Sequence, residues 1–393
     1  MMDPVQIPSR FVPTAALRQR HGDAVDRIAP FLLRSDPLAD AAIAVIGEHG
    51  AEGKAWVDGL ARAALPADAP EALKALRDQL EHVPLWLDWE RAEAGARVLL
   101  ASGLLTGLVL AAKSIVLGYA SPGGNKPLVL SGALTQRASR RLNETSRYVR
   151  AVLLPRGLAP GQEGYALTVR VRLMHARVRQ LALRDPRWDT SKYGIPINQH
   201  DMAATTLLFS EVLLQGLETL GVPLREAEGD AVMHLWRYAG TLMGVEQELL
   251  ATSRREGQRL TELIDGSQAP PDDDARLLTQ ALFAIPKLDA ESVSAAERAS
   301  AQKVASRAIE LLRVSSYELL GAPLAAQLGI EKSPWRGALP LLRRLVRTST
   351  LVARTVPGLE GRAIEAGRRY WDDVRDQGLL RYDTGFHLPE RLG

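Results

Sequence analysis

Cysteine is missing from all 393 residues. Its absence removes disulfides, thiolate metal ligands, iron–sulfur clusters and cysteine nucleophiles together, and it suits a reducing, cytoplasmic setting. Aromatic residues make up only 5% of the chain and β-branched runs are few, so little of it favours the pleated surface of a sheet. Familiar metal and nucleotide signatures are absent too. The residues three before the seven His are Arg18, Ile46, Gln79, Arg172, Ile197, Ala231 and Thr384, which excludes a di-iron site built from Glu-x-x-His pairs. No His-Glu-x-x-His zinc helix, Gly-x-Ser-x-Gly elbow or Gly-x-Gly-x-x-Gly after a strand occurs. The stretch from Met1 to Arg20 has no apolar run of secretory length and no twin arginine.

What is present favours helices. Ala, Leu, Arg and Glu abound, and all four are good helix formers. With 46% apolar and 24% charged residues, the chain is of ordinary globular composition and long enough to bury a sizeable core. Pro4, Pro8 and Pro13 predict an extended arm, followed by a helix from Ala16. Asp36 before Pro37 reads as an N-cap and first helical residue. Leu73, Leu76 and Leu80 give one apolar face to a helix over 70–82. The spacing of Leu208, Val212, Leu213, Leu217 and Leu220 predicts a long helix capped by Asp201 and stopped at Gly221. Another helix runs over 229–252, where Trp236, Tyr238, Leu242 and Met243 are candidate pocket residues.

The most apolar run, Val98 to Tyr119, is about as long as a membrane span. It contains Ser102, Thr106, Lys113 and Ser114, and its Gly103-xxx-Gly107 pair suits close approach by another helix or a flat cofactor. A buried central helix is therefore the expectation, with no transmembrane segment. Tyr119 to Lys126 reads as a turn by composition; it lacks the Gly-Lys-Ser/Thr ending of a phosphate loop. Gly266 to Asp274 is the linker candidate. The expected organisation is a single all-α domain over 1–393, with a core at about 84–260 and C-terminal helices over 275–393 packed on it.

Charge is concentrated in one place. Arg137 to Arg187 holds twelve Arg, no Lys and three acids, a balance of +9, whereas the whole chain carries only +3. Here the Arg residues alternate with large apolar residues, as in Val169-Arg170-Val171-Arg172-Leu173, unlike a solvated nucleic-acid stripe. Residues three and four apart share a helix face. His175 therefore stands between Arg172 and Arg179, while Arg141, Glu144 and Thr145 stand together on the preceding helix. Val171 and Val178 place apolar side chains beside the imidazole. A lone His flanked by guanidiniums in an apolar setting suits haem, whose iron takes an axial His and whose propionates take Arg. The same spacing equally suits a buried His bonded to a carbonyl, with Arg172 and Arg179 paired to acids on a neighbouring helix. His234 is the fallback ligand, His200 a loop residue, and Arg177 points into solvent.

Three motifs in order, Arg141-Leu-Asn-Glu144-Thr145, Arg172-Leu-Met-His175-Ala-Arg-Val-Arg179 and Gly194-Ile-Pro-Ile-Asn198-Gln-His-Asp201-Met202, resemble those of the latex clearing protein / MpaB-like oxygenases, the DUF2236 group. The resemblance covers roughly Pro84 to Leu250. It implies a globin-like helical core with added N- and C-terminal helices, one b-type haem (iron protoporphyrin IX) and O2 as co-substrate. By the motif match His175 is the proximal iron ligand, with Arg172 and Arg179 as propionate partners. Arg141 and Thr145 then lie on the distal side, and Asn198 and Asp201 anchor a loop over the pocket. Glu144 departs from rubber-cleaving members, some of which carry Lys there. In an apolar pocket it would serve as a general base.

The function expected is a haem-dependent oxygenase acting on C=C bonds of an apolar, isoprenoid-like small molecule. The protein is expected to be intracellular (cytoplasmic) and not to act on extracellular rubber, since rubber-cleaving members must be exported. The rival is a non-enzymatic haem protein, a sensor or carrier. Nucleic acid is not an expected partner, peripheral membrane contact is left open, and oligomeric state is not readable.

Overall fold

The computed structural model describes residues 6–132, 134–291, 294–381, 388, 389 and 391, with backbone alone at 134–137, 295–296 and 378–381. Pro4 of the expected arm, the Arg137 side chain and His387 lie outside the described residues. The fold is all-α, and among the described residues the one strand-like contact is an isolated bridge between Phe11 and Gln268. That bridge belongs to the extended arm: Ser9 and Arg10 donate backbone N–H groups to Ser191 and Lys192, and Val12 donates to Ser267. The segment after residue 265, expected as a linker, is thereby tied to the arm. Its Asp272 also accepts from Asn125 and pairs with Lys126.

Local sequence chemistry sets the helix starts. The Asp36 carboxylate accepts from the Ala39 N–H and opens the helix Pro37–Glu48. The helix Glu71–Glu81 buries Leu73, Leu76 and Leu80, as its apolar spacing requires. Asp88 caps Trp89–Ala101, which packs against Glu226–Leu242. Gly95 makes that approach close, because a Cβ there would run into the Ala231 carbonyl.

The apolar run is not one helix. It is divided into Trp89–Ala101, Gly103–Val109, a π-helical turn Leu110–Ser114 and Ile115–Ala120. The wide π turn carries the buried Lys113, which donates to Gln215 Oε1 at 3.1 Å, and Ser114, which donates to the Leu208 carbonyl at 2.7 Å. Gly103–Ala120 is long and apolar enough to cross a membrane, yet half of it is buried in the protein. The glycine pair receives a helix and not a cofactor. Gly103 abuts Gly367, and Gly107 sits beneath the Tyr370 hydroxyl, both on the C-terminal helix Leu359–Arg381.

Two further expectations are corrected. The turn at 119–126 is largely the helix Pro122–Leu130, opened by the Ser121 cap with Pro122 as its first residue. Gly123 leaves room there for the Arg10 guanidinium. The expected long helix after residue 201 is two, Gln199–Phe209 and Glu211–Thr219, and its cap is Asn198 rather than Asp201.

Candidate functional site

His175 lies on Glu163–Arg184, a 22-residue helix with two different inner faces. One face is buried through Tyr165, Val169, Leu173 and Ala176, and it carries the guanidiniums of Arg172 and Arg179. The other carries Leu167, Val171, Met174, Val178 and Leu181, spaced four, three, four and three apart. All five are only half-buried, and none packs into the described hydrophobic clusters. His175 sits within this second stripe.

The imidazole is electrically neutral. Burial pushes its pKa down to about 4, the neighbouring Arg179 charge adds to the shift, and Asp36 opposes it. Its Nδ1 is buried and has no hydrogen-bond partner. Buried polar groups ordinarily find a donor or acceptor, and both ring nitrogens of His200 also lack a hydrogen bond, so the apolar surroundings rather than the missing partner alone mark His175. Neutral imidazole is also the form that binds a metal. Among the described residues no group of three or more His, Cys, Asp or Glu converges on a metal position. Ring, iron and donor set are compatible: one neutral imidazole in an apolar wall fits haem.

Arg172 and Arg179 are both engaged by other parts of the protein. Arg172 is buried and grips both oxygens of Asp36, at 2.7 and 3.0 Å. Its remaining nitrogen donates to Gln79 and to the Leu242 carbonyl. Arg179 pairs with Asp40 and donates to the carbonyls of Pro196 and Ile197. The nitrogens expected to meet propionates are here bonded to protein groups. They bind the His175 helix to Pro37–Glu48 and to the loop before Asn198, which fixes the ring's position from both sides. Arg177 is likewise not turned into solvent, because its Nε donates to the Pro389 carbonyl at 2.9 Å.

Arg141 and Thr145 lie on Leu134–Val152, which packs along the His175 helix. Both are half-buried. Arg141 donates to Ser131 Oγ and to the Leu128 carbonyl. Burial pushes the Tyr119 hydroxyl pKa up, and the Arg141 charge offsets part of that rise. Glu144 is exposed and pairs along its own helix with Arg140 at 2.8 Å. The apolar pocket expected around it is not there, so the general-base expectation is corrected.

The other candidates are structural. His234 Nε2 accepts from the Asp88 N–H at 3.0 Å, and the ring meets Trp86 edge-on. Trp236 stacks on Phe209, Tyr238 meets Trp86 and Trp89, and Leu242 is buried, so these fill core rather than line a pocket. Asn198 and Asp201 do anchor the loop: Asn198 holds the Ile195 carbonyl and the Asp201 carboxylate, and Arg10 pairs with Asp201 at 2.7 Å. Burial raises the Asp201 pKa, but Arg10 and His200 outweigh it and hold the carboxyl at about 2. A cavity of about 350 Å³ lined by Phe283, Arg313 and Ile330 contains none of the expected site residues. Asp36, Asp40 and Ser131 reach the guanidiniums of Arg172, Arg179 and Arg141 from other elements, which spacing along one helix does not reveal. The half-buried stripe was present in the sequence as a four-three repeat around His175.

Residues 95–351 match the family described as ER-bound oxygenase mpaB/B'/Rubber oxygenase, catalytic domain. The chain is 23% identical over 289 residues to the rubber oxygenase of Streptomyces sp. (strain K30). The match covers 73% of this chain and 66% of that protein, just under two thirds of its length. The fold is similar to a solved structure of latex clearing protein in the closed state, with a TM-score of 0.69 at 21% identity, covering 92% of this chain and 95% of that one.

Proposed function

The chain belongs to the mpaB/B' and rubber oxygenase family, and from that premise we propose that it is a haem b-dependent oxygenase acting on a C=C bond of an apolar, isoprenoid-like substrate. One observation carries the reading: a neutral imidazole, with a buried nitrogen lacking any partner, stands in an apolar stripe that no core cluster covers. Bound haem supplies O2 activation and redox chemistry that no side chain here provides.

The protein's own part is binding, orientation and exclusion of water. His175 would hold the iron without first losing a proton, because burial lowers its pKa to about 4 and favours the neutral ring. The stripe from Leu167 to Leu181 would receive apolar surface, of the macrocycle and of the substrate, at roughly 25 cal/mol per Å² removed from water. Arg172–Asp36 and Arg179–Asp40 act as positioning pairs that stop the helix from rotating. Arg141 and Thr145 are proposed as the polar groups on the opposite helix that orient O2 by hydrogen bonding.

Visible spectra of the purified protein, as isolated and after dithionite and CO, test the reading in wild type and His175→Ala. A Soret band that is lost or shifted in the variant is expected. A wild type that stays colourless after haem is added would sink it. The exposure of Glu144 favours a second reading, a haem protein without oxygenase chemistry, since no general base remains at that position. O2 consumption with an olefin present separates the two.

A further inference from the structure

The helix Leu339–Thr355 lies on the surface with Leu339 and Val346 turned inward, yet it keeps a second set of apolar side chains facing outward. A surface helix normally turns its apolar stripe inward and its charges to water. Here Leu341, Leu345 and Val352, at i, i+4 and i+11, are 63%, 59% and 45% exposed, and only Leu339 is fully buried. The half-turn before it, Pro334–Ala338, adds Trp335 at 68% exposure. Exposed apolar side chains scattered singly need no explanation, but a contiguous row of them marks a contact surface.

The charges beside this row are of one sign. From Lys332 to Leu359 there are six basic residues and no acid. Arg336 and Arg343 pair with Glu318, and Arg354 pairs with Glu228. Arg344 and Arg347 flank the apolar row, are exposed, and meet no carboxylate among the described residues. An apolar centre with an aromatic at one end and unpaired cations along its edge matches a helix that lies in the headgroup region of a bilayer. The charge calls for anionic lipid. A second copy docking about a twofold axis would bring the same unpaired cations near each other. A nucleic acid would need the cations central and the leucines elsewhere.

We propose that Leu339–Thr355, with Trp335, is a peripheral docking surface for an anionic lipid bilayer. The proposal does not depend on the oxygenase reading. Co-sedimentation of the full chain with phosphatidylglycerol vesicles, against phosphatidylcholine vesicles, tests it, with light scattering and an electrophoretic shift on duplex DNA alongside. Wild type is expected to sediment with the anionic vesicles and to be released by salt. Arg344→Glu with Arg347→Glu, and separately Leu341→Ser with Leu345→Ser, are expected to weaken binding about tenfold or more. Unchanged circular dichroism and Tm would show that these exposed positions leave the fold intact. Equal binding by both variants, or no binding by wild type, overturns the proposal. So does a dimer that the leucine variants dissociate, or DNA binding without vesicle binding.

Discussion

His175 and His234 sit at the inner faces of long helices, and both imidazoles are held below their ordinary pKa chiefly by burial. His234 is finished by the protein. Its Nε2 takes the Asp88 N–H, Trp86 covers its edge, and Arg237 lies over the Trp86 ring at 3.9 Å. His175 is not finished. The structure surrounds it with half-buried apolar residues and leaves Nδ1 with nothing to bond. Two similar residues thus differ in one respect, whether the fold itself supplies the partner. Where it does not, the free energy left unrecovered is available to a ligand.

Breaking the support on the His175 side is expected to have the largest effect. Arg172→Ala leaves the buried Asp36 carboxylate unpaired, which costs about 3–5 kcal/mol. Urea denaturation measures the loss, and Asp36→Asn in the same chain should recover part of it. A loss under 1 kcal/mol would mean the pair does not hold the helix.

Next comes the acid dependence of His175 itself, in protein without bound cofactor. Its folded-state pKa of about 4 lies below the ordinary 6.5, so the unfolded chain binds the proton more tightly. The contribution is therefore fully present above pH 6.5 and is lost as pH falls through 4. The span corresponds to about 3 kcal/mol at most. Denaturation at stepped pH should show a shallower acid decline for His175→Leu than for wild type.

His234→Ala sharpens the contrast from the other side. It removes an acceptor from the Asp88 N–H and should cost about 1–3 kcal/mol while leaving any Soret band in place. A Soret band lost there but kept in His175→Ala would reverse the assignment. The smallest effect is expected for Glu144→Gln, which breaks an exposed pair one turn apart and should change stability by about 0.5 kcal/mol or less. A large loss of turnover in that variant would restore Glu144 to the chemistry.

Local features were legible in the sequence and distant partners were not. Asp36 before Pro37, and the leucines at 73, 76 and 80, act within a turn or two of themselves, so spacing reveals them. The same arithmetic placed His175 between Arg172 and Arg179, but it says nothing of what faces a helix from across the core. Asp36 and Asp40 lie far away in sequence, and their carboxylates decided what the two guanidiniums do. Glu144 failed for the same reason, since whether its face met a pocket or water depended on neighbours that spacing does not show. At 121–124 the composition misled directly. Ser-Pro-Gly-Gly begins a helix because Ser121 caps it, and its Gly123 admits a charged side chain from the N-terminal arm.

The glycine seat at Gly103 and Gly107 also constrains the order of events during synthesis. The helix that fills it, Leu359–Arg381, is made about 250 residues after the segments it covers. The arm at Ser9 and Arg10 likewise waits for Ser191, Lys192 and Ser267. Closure thus depends on contacts between segments far apart in sequence, the kind that form slowly. Until then the apolar Gly103–Ala120 segment is uncovered in the nascent chain, where chaperones or a membrane could engage it. On this account a truncation before residue 359 would produce a protein that never acquires its lid of helix, however sound the His175 helix is in itself.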